Sequence, residues 1–155
     1  MKRKWFLVAV FAILSLQISS LQAQSLSASE QEKISTEVMA VLDEFMTQFN
    51  ALNIDAWEAT FQFPHYRLAS GKMNVLEQPS GRTAQQLKIS LGSEWHHSAW
   101  IQRNIVHLSK NKVHVDTRFA RYRADNSIIA EYNSLYIVTL ENGRWGIKLR
   151  SSMAP

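Results

Sequence analysis

Between Trp100 and Met153 apolar and polar residues alternate in four runs separated by turn residues, the period-two pattern of half-buried strands. Glu141-Asn142-Gly143-Arg144 contains Asn-Gly, the pair favoured in a type I′ hairpin because both central residues take positive φ. Looping there sets Leu140 against Trp145, Val138 against Ile147, Tyr136 against Leu149 and Ser134 against Ser151. A turn at Asp125-Asn126 sets Tyr122 against Ile129, Phe119 against Tyr132, Thr117 against Ser134 and Val115 against Tyr136, so the two registers agree. A weaker signal at Lys110-Asn111 sets Leu108 against Val113, Val106 against Val115 and Asn104 against Thr117.

One face of this predicted sheet grades from dry to polar. Its first row is Leu108, Val113, Val138 and Ile147, and its second Val106, Val115, Tyr136 and Leu149. Asn104, Thr117, Ser134 and Ser151 follow, then Gln102, Phe119 and Tyr132, and last Trp100 and Arg121. Hydroxyls and amides beside aromatics are the setting of a ligand pocket, because buried polar groups need partners and a ligand supplies them. Bonding to each other or to ordered water satisfies them equally well. The opposite face mixes Ile105, Leu135 and Ile137 with His107, His114, Asp116, Arg118, Glu131, Lys148 and Arg150. Asp116 and Arg150 both neighbour Leu135 in this register, and the half-apolar surface suits either a homodimer interface or a solvated face.

Upstream the period changes to helical. Ser29-Glu30-Gln31-Glu32 reads as a capping box, and Ile34, Val38, Leu42, Phe45 and Phe49 continue one apolar face to about Leu52. Asp55-Ala56-Trp57-Glu58 starts a short second helix, and Thr83 caps a third that Gly92 ends. Phe63 to Leu76 reads as a hairpin bent at Ser70-Gly71, with His65 and Arg67 on one side. Pro64 is expected at its start, since proline is excluded from central strands. Helices gathered over a long antiparallel meander make an α+β pattern.

The first residues change how the charge is read. Lys2-Arg3-Lys4, the apolar run Trp5 to Leu16 and Leu21-Gln22-Ala23 form a cleavable secretory signal over 1–23, too short and too soon polar for a spanning helix. A linker at 24–29 and one domain at 30–155 follow, placed in the periplasm or outside the cell. The chain has 17 basic and 13 acidic residues, but three basic ones lie in the signal, leaving 14 against 13. With no basic run beyond the signal, nucleic-acid binding has no electrostatic footprint, and no membrane partner is expected after cleavage. There is no cysteine, so neither a disulfide framework nor a lipid-modified cysteine arises.

The order of elements from Ser29 onward resembles the nuclear transport factor two-like superfamily, which includes SnoaL-like polyketide cyclases, ketosteroid isomerases and scytalone dehydratases. More narrowly, Phe63-Pro64-His65-Tyr66-Arg67-Leu68-Ala69-Ser70-Gly71, Trp95-His96-His97-Ser98 and the tail Gly143 to Ser152 look like an uncharacterised bacterial subfamily. The resemblance implies a cone-shaped, curved antiparallel sheet covered on its concave face by the long N-terminal helix and two shorter helices. It also implies a cavity inside the cone and frequent dimerisation through the outer sheet face. It transfers no reaction, because the superfamily hosts many functions.

Two readings of the cavity stay open. In the first, the domain binds a small, partly apolar molecule, with Arg67, Trp100, Gln102, Asn104, Thr117, Phe119, Arg121, Ser134, Tyr136 and Ser151 as candidate ligand-binding residues. Arg67 or Arg121 would clamp an acidic group. In the second, it is a cofactor-independent isomerase, dehydratase or cyclase in which His65 moves a proton beside a carbonyl polarised by Tyr132 or Tyr136. Histidine there departs from the carboxylate base of the ketosteroid isomerases, and no carboxylate falls on the inferred pocket face. A structural dimer with a vestigial cavity is the third possibility, and a cavity below about 300 Å³ would favour it. His65, His96 and His97 make a poor metal set: adjacent histidines point to opposite sides of an extended chain and no acidic residue completes them, so no metal is expected. No cofactor motif is present: there is neither a glycine-rich phosphate loop nor a Gly-x-Ser-x-Gly elbow.

Overall fold

The computed structural model describes residues 26–155, so the signal expected at 1–23 and the first linker residues lie outside the described part. Helix α1 spans Ala28–Asn50, α2 Ile54–Ala59 and α3 Ala84–Leu91. The strands are β1 Phe61–Ala69, β2 Lys72–Leu76, β3 His97–Leu108, β4 Lys112–Tyr122, β5 Ile128–Glu141 and β6 Arg144–Ser152. They form one curved, unclosed sheet in the order β2-β1-β6-β5-β4-β3, antiparallel throughout except where β1 runs parallel to β6.

Local chemistry sets the helix ends. The capping box at α1 belongs to Ser27 and not to Ser29: the Ser27 hydroxyl accepts from the Glu30 amide and the Glu30 carboxylate accepts from the Ser27 amide. Both serines have a glutamate three residues on, and capping at Ser27 adds two residues to the helix. Asn53, two residues before the expected Asp55, caps α2 through the Ala56 amide. Thr83 and Gln86 form the box expected at α3.

The apolar face of α1 lies on the concave face of the sheet. Val38, Leu42 and Phe45 pack with Val113, Val115, Tyr136, Val138 and Ile147 in one core that also takes in Trp57 and Phe61. The Tyr136 ring meets Phe45 and Trp100 edge-on at 5.7 Å and 5.5 Å.

Bulges redirect several side chains. β5 and β6 pair as expected from Leu140–Trp145 to Val138–Ile147, but Lys148 is then an extra residue on β6. Ile137 faces Leu149, Tyr136 faces Arg150 and Ser134 faces Ser152. Every residue after Lys148 therefore changes face, so Arg150 and Ser152 point inward while Leu149 and Ser151 point outward. On β3 two irregularities follow Leu108–Val113, so that Ile105 faces Val115, Arg103 faces Thr117 and Trp100 faces Phe119. Val106, Gln102 and Asn104 are turned out and exposed. The β4–β5 register matches the expectation at Phe119–Tyr132, Thr117–Ser134 and Val115–Tyr136 and departs only near the turn, where Tyr122 faces Ile128.

Pro64 is a further correction. It lies within β1, at a cis peptide bond after Phe63, and β1 is an interior strand. The β1–β6 pairing passes from Phe61–Ile147 to Tyr66–Leu149, so β1 has surplus residues that leave the ladder, and pairing with β2 begins only at His65. Pro64 sits in this interruption, where no ladder amide is required.

Tyr136→Ala is expected to destabilise the fold by about 3 to 5 kcal/mol, as for other truncations of buried aromatics. Urea unfolding measures it, and a loss below about 1 kcal/mol would remove Tyr136 from the core.

Candidate functional site

A cavity of about 540 Å³ lies between the concave sheet face and the helices, above the ~300 Å³ lower range of ligand pockets. Phe45, Phe49, Trp57, Phe61 and Phe119 give it aromatic walls. Asn74, Ser80, Arg82, Ser90 and Pro155, all exposed, form its mouth.

The register sets Arg67, Arg150 and Tyr136 side by side across β1, β6 and β5. Arg150 is half-buried and its guanidinium carbon lies 5.2 Å from the ring centre of Phe45, 5.6 Å from Trp57 and 5.0 Å from Phe61. Such rings attract a cation through their negative faces. Arg150 Nε donates to His65 Nε2 at 3.1 Å. Its guanidinium lines the cavity beside the Tyr136 hydroxyl, and no aspartate or glutamate of the described residues pairs with it. Burial pulls the Arg150 guanidinium below the usual arginine range, partly offset by the Tyr136 hydroxyl beside it, and burial pushes that hydroxyl up.

His65 is fully buried and stacks on Phe61 at 4.0 Å. Its Nδ1 lies 2.8 Å from the Ile147 carbonyl oxygen. A carbonyl can only accept and a guanidinium only donate, so the ring is neutral with its proton on Nδ1. Burial, with the positive charge of Arg150 next in weight, lowers its pKa to about 3. As placed, both ring nitrogens are engaged and no lone pair is left to take a substrate proton.

Arg67 donates to the main-chain oxygens of Pro155 at 2.9 Å and Ala154 at 3.4 Å, and burial lowers its pKa. Arg121 points into the cavity, with its guanidinium 5.1 Å from the Tyr132 ring centre. Its Nε, like Trp57 Nε1, is buried without an acceptor among the described residues. The carboxylate in the lining, Glu58, is held by the amide and hydroxyl of Ser80. Among the described residues no aspartate or glutamate pairs with Arg67, Arg82, Arg121 or Arg150. Residues 1–25 contain no acidic side chain that could do so.

Of the residues singled out from the sequence, His65, Arg67, Phe119, Arg121 and Tyr136 come together in the cavity lining. Trp100 packs behind it, its indole donating to the Leu42 carbonyl at 3.2 Å. Thr117 and Ser134 are buried but satisfied, by Thr117 Oγ1 to the Ser134 carbonyl and Ser134 Oγ to Ser152 Oγ. Gln102 and Asn104 are exposed outward and Ser151 is replaced inward by Ser152, all through the bulges. Tyr132 supports Phe119 and Arg121 from outside the lining. Ser152, Arg82 and Glu58 were not among the candidates, and Arg150, expected on the outer face beside Leu135, is a correction: the bulge at Lys148, which no local pattern marks, turns it into the cavity. Among the described residues no group of three or more His, Asp or Glu is placed to hold a metal.

A family model described as NTF2-like protein (DUF6841) matches residues 31–152. No curated protein matches the chain. Solved structures similar to it include a Nostoc punctiforme protein of unknown function with a cystatin-like fold (TM-score 0.66, 13% identity, 84% of this chain and 94% of that one). The association domain of CaMKII from C. elegans is similar at TM-score 0.61 and 6% identity, over 81% of this chain and 98% of that one. A ketosteroid isomerase-like protein from Erwinia carotovora is similar at 0.52 and 19%, over 77% and 96%. At these identities the likeness is one of fold.

The unfolded chain protonates His65 near its ordinary pKa of 6.5, whereas the folded ring stays neutral down to about 3. Between those values the unfolded state holds the extra proton, so stability rises with pH, by about 1.4 kcal/mol per pH unit from this residue. His65→Gln is expected to flatten the pH dependence of urea unfolding by that amount inside the window. An unchanged slope would contradict the neutral ring.

Proposed function

Since the chain belongs to the NTF2-like (DUF6841) family, whose fold alone selects no activity, we propose that its cavity binds a small, partly apolar molecule carrying an acidic group. The observation that carries this reading is Arg150: a guanidinium fixed through Nε, walled by three rings, lining the cavity beside the Tyr136 hydroxyl and with no carboxylate to neutralise it. Two parallel donors held at a fixed angle match a carboxylate, and an aromatic surround removes competing water. His65 is then a positioning residue that holds the fork.

The catalytic alternative gains nothing from the arrangement. His65 has both nitrogens engaged, Glu58 is bound to Ser80, and of the two tyrosines Tyr132 lies outside the lining while Tyr136 lines it with no free base beside it. We also propose that the domain works as a homodimer outside the cytoplasm. The register aligns Tyr66, Leu149 and Ile137 in an apolar row on the outer face, next to His114 and His107, and the leader expected at 1–23 would export the chain.

Native mass spectrometry of protein purified from an extract of its own host tests both points. A retained small acid on the wild-type protein, lost from a folded Arg150→Gln variant, is the expected result. Retention of a neutral molecule, or retention unaffected by Arg150→Gln, would overturn the acid-binding reading. Tyr132→Phe is expected to leave retention unchanged. The same spectra should show a dimer that Ile137→Lys converts to monomer, and a wild-type monomer would remove the interface.

A further inference from the structure

The cavity holds a second guanidinium that Arg150 leaves unexplained. Arg121 makes no side-chain hydrogen bond among the described residues: its Nε is buried without an acceptor, and its terminal nitrogens are accessible and unpartnered in the cavity lining. Tyr132 supports it from one side only, through the face of the ring. A charged, partly desolvated group with five donors and no acceptor is costly unless something else supplies one.

The strand pairing separates the two arginines. Arg150 faces Tyr136 on β5 and Arg121 faces Ala130, six residues further along the same strand. At about 3.3 Å per residue their backbones are about 20 Å apart. Phe119, Met46, Phe49 and Leu87 line the intervening wall. An acid with one charged end, seated on Arg150, would displace water from Arg121 and give it nothing in return. It would also leave Arg67, Arg82 and Arg121 in one cavity unpaired with any aspartate or glutamate of the described residues, since Glu58 is held by Ser80.

We infer that the ligand is a dianion with an apolar middle, one acidic group on Arg150 and the other on Arg121. This deepens the acid-binding reading and rests on it. The ~20 Å between the backbones leaves room for an aliphatic diacid of six to eight carbons with a bidentate pair at each end, or for an aromatic one of similar length.

Calorimetric titration with suberate and with octanoate, which share chain length and differ in the second carboxylate, tests it. A purely apolar wall at the far end would favour octanoate. The expected result is suberate bound at least about tenfold more tightly than octanoate, a ratio that falls to near one in Arg121→Gln. Arg121→Lys, which keeps the charge and loses the fork, should retain part of the preference and guards against misfolding of the glutamine variant. Octanoate binding as tightly as suberate, or a suberate preference untouched by Arg121→Gln, overturns the dianion and leaves the acid-binding reading standing. No saturable binding of either acid at millimolar concentration overturns both.

Discussion

The hydrogen bond between Arg150 Nε and His65 Nε2 is the contact on which the interior depends. A guanidinium among Phe45, Trp57 and Phe61 is tolerated only where its donors are met or face water, and the imidazole meets one of them. The imidazole is in turn available only as a neutral ring with its proton committed to the Ile147 carbonyl. Charge and neutrality are thus assigned together: the same bond that keeps arginine oriented takes the lone pair that a catalytic histidine would need. A polar row deeper in the sheet, Thr117, Ser134 and Ser152, closes on itself through its own hydrogen bonds. The cavity's electrostatic character therefore comes from arginines at its ends and not from the hydroxyls along its floor.

Much of this was legible in the sequence. The α+β order, the turns at Asn142-Gly143 and Ser70-Gly71, the third helix with its Thr83 cap and the shared side of His65 and Arg67 follow from local rules that tertiary packing did not override. What escaped is the effect of single-residue irregularities. Side-chain period in a strand is two, so one extra residue at Lys148 exchanges Arg150 for Leu149 and Ser152 for Ser151. The same arithmetic on β3 sends Gln102 and Asn104 outward and brings Arg103 in, where it pairs with Asp43 on α1. None of these three irregularities has a glycine at the break, and the sequence therefore reads as uninterrupted strands through them.

Membership of the family and likeness to solved structures fix the architecture while leaving the interior free to vary. The similar structures include an association domain and a ketosteroid isomerase-like protein, at 6% and 19% identity. A shared curved sheet accommodates such differences because the lining is a minority of the residues and lies mostly at strand ends, helix faces and the turns between them. In this chain the charged part of an otherwise largely apolar lining is four arginines, Arg67, Arg82, Arg121 and Arg150, against the one glutamate Glu58.

The parallel pairing of β1 with β6 has a consequence for how the chain reaches this structure. Arg150 and its partner His65 are 85 residues apart in sequence, and β6 is the strand that joins the β1–β2 hairpin to the rest of the sheet. Loop closure of that length must precede the reward of the contact, so a domain of this topology belongs among the slower folders. Until β6 is in place the sheet exists as two fragments, a two-stranded ribbon and a three-stranded meander, each with its inner edge open to pairing with other chains. The window for misassembly therefore closes with the final strand.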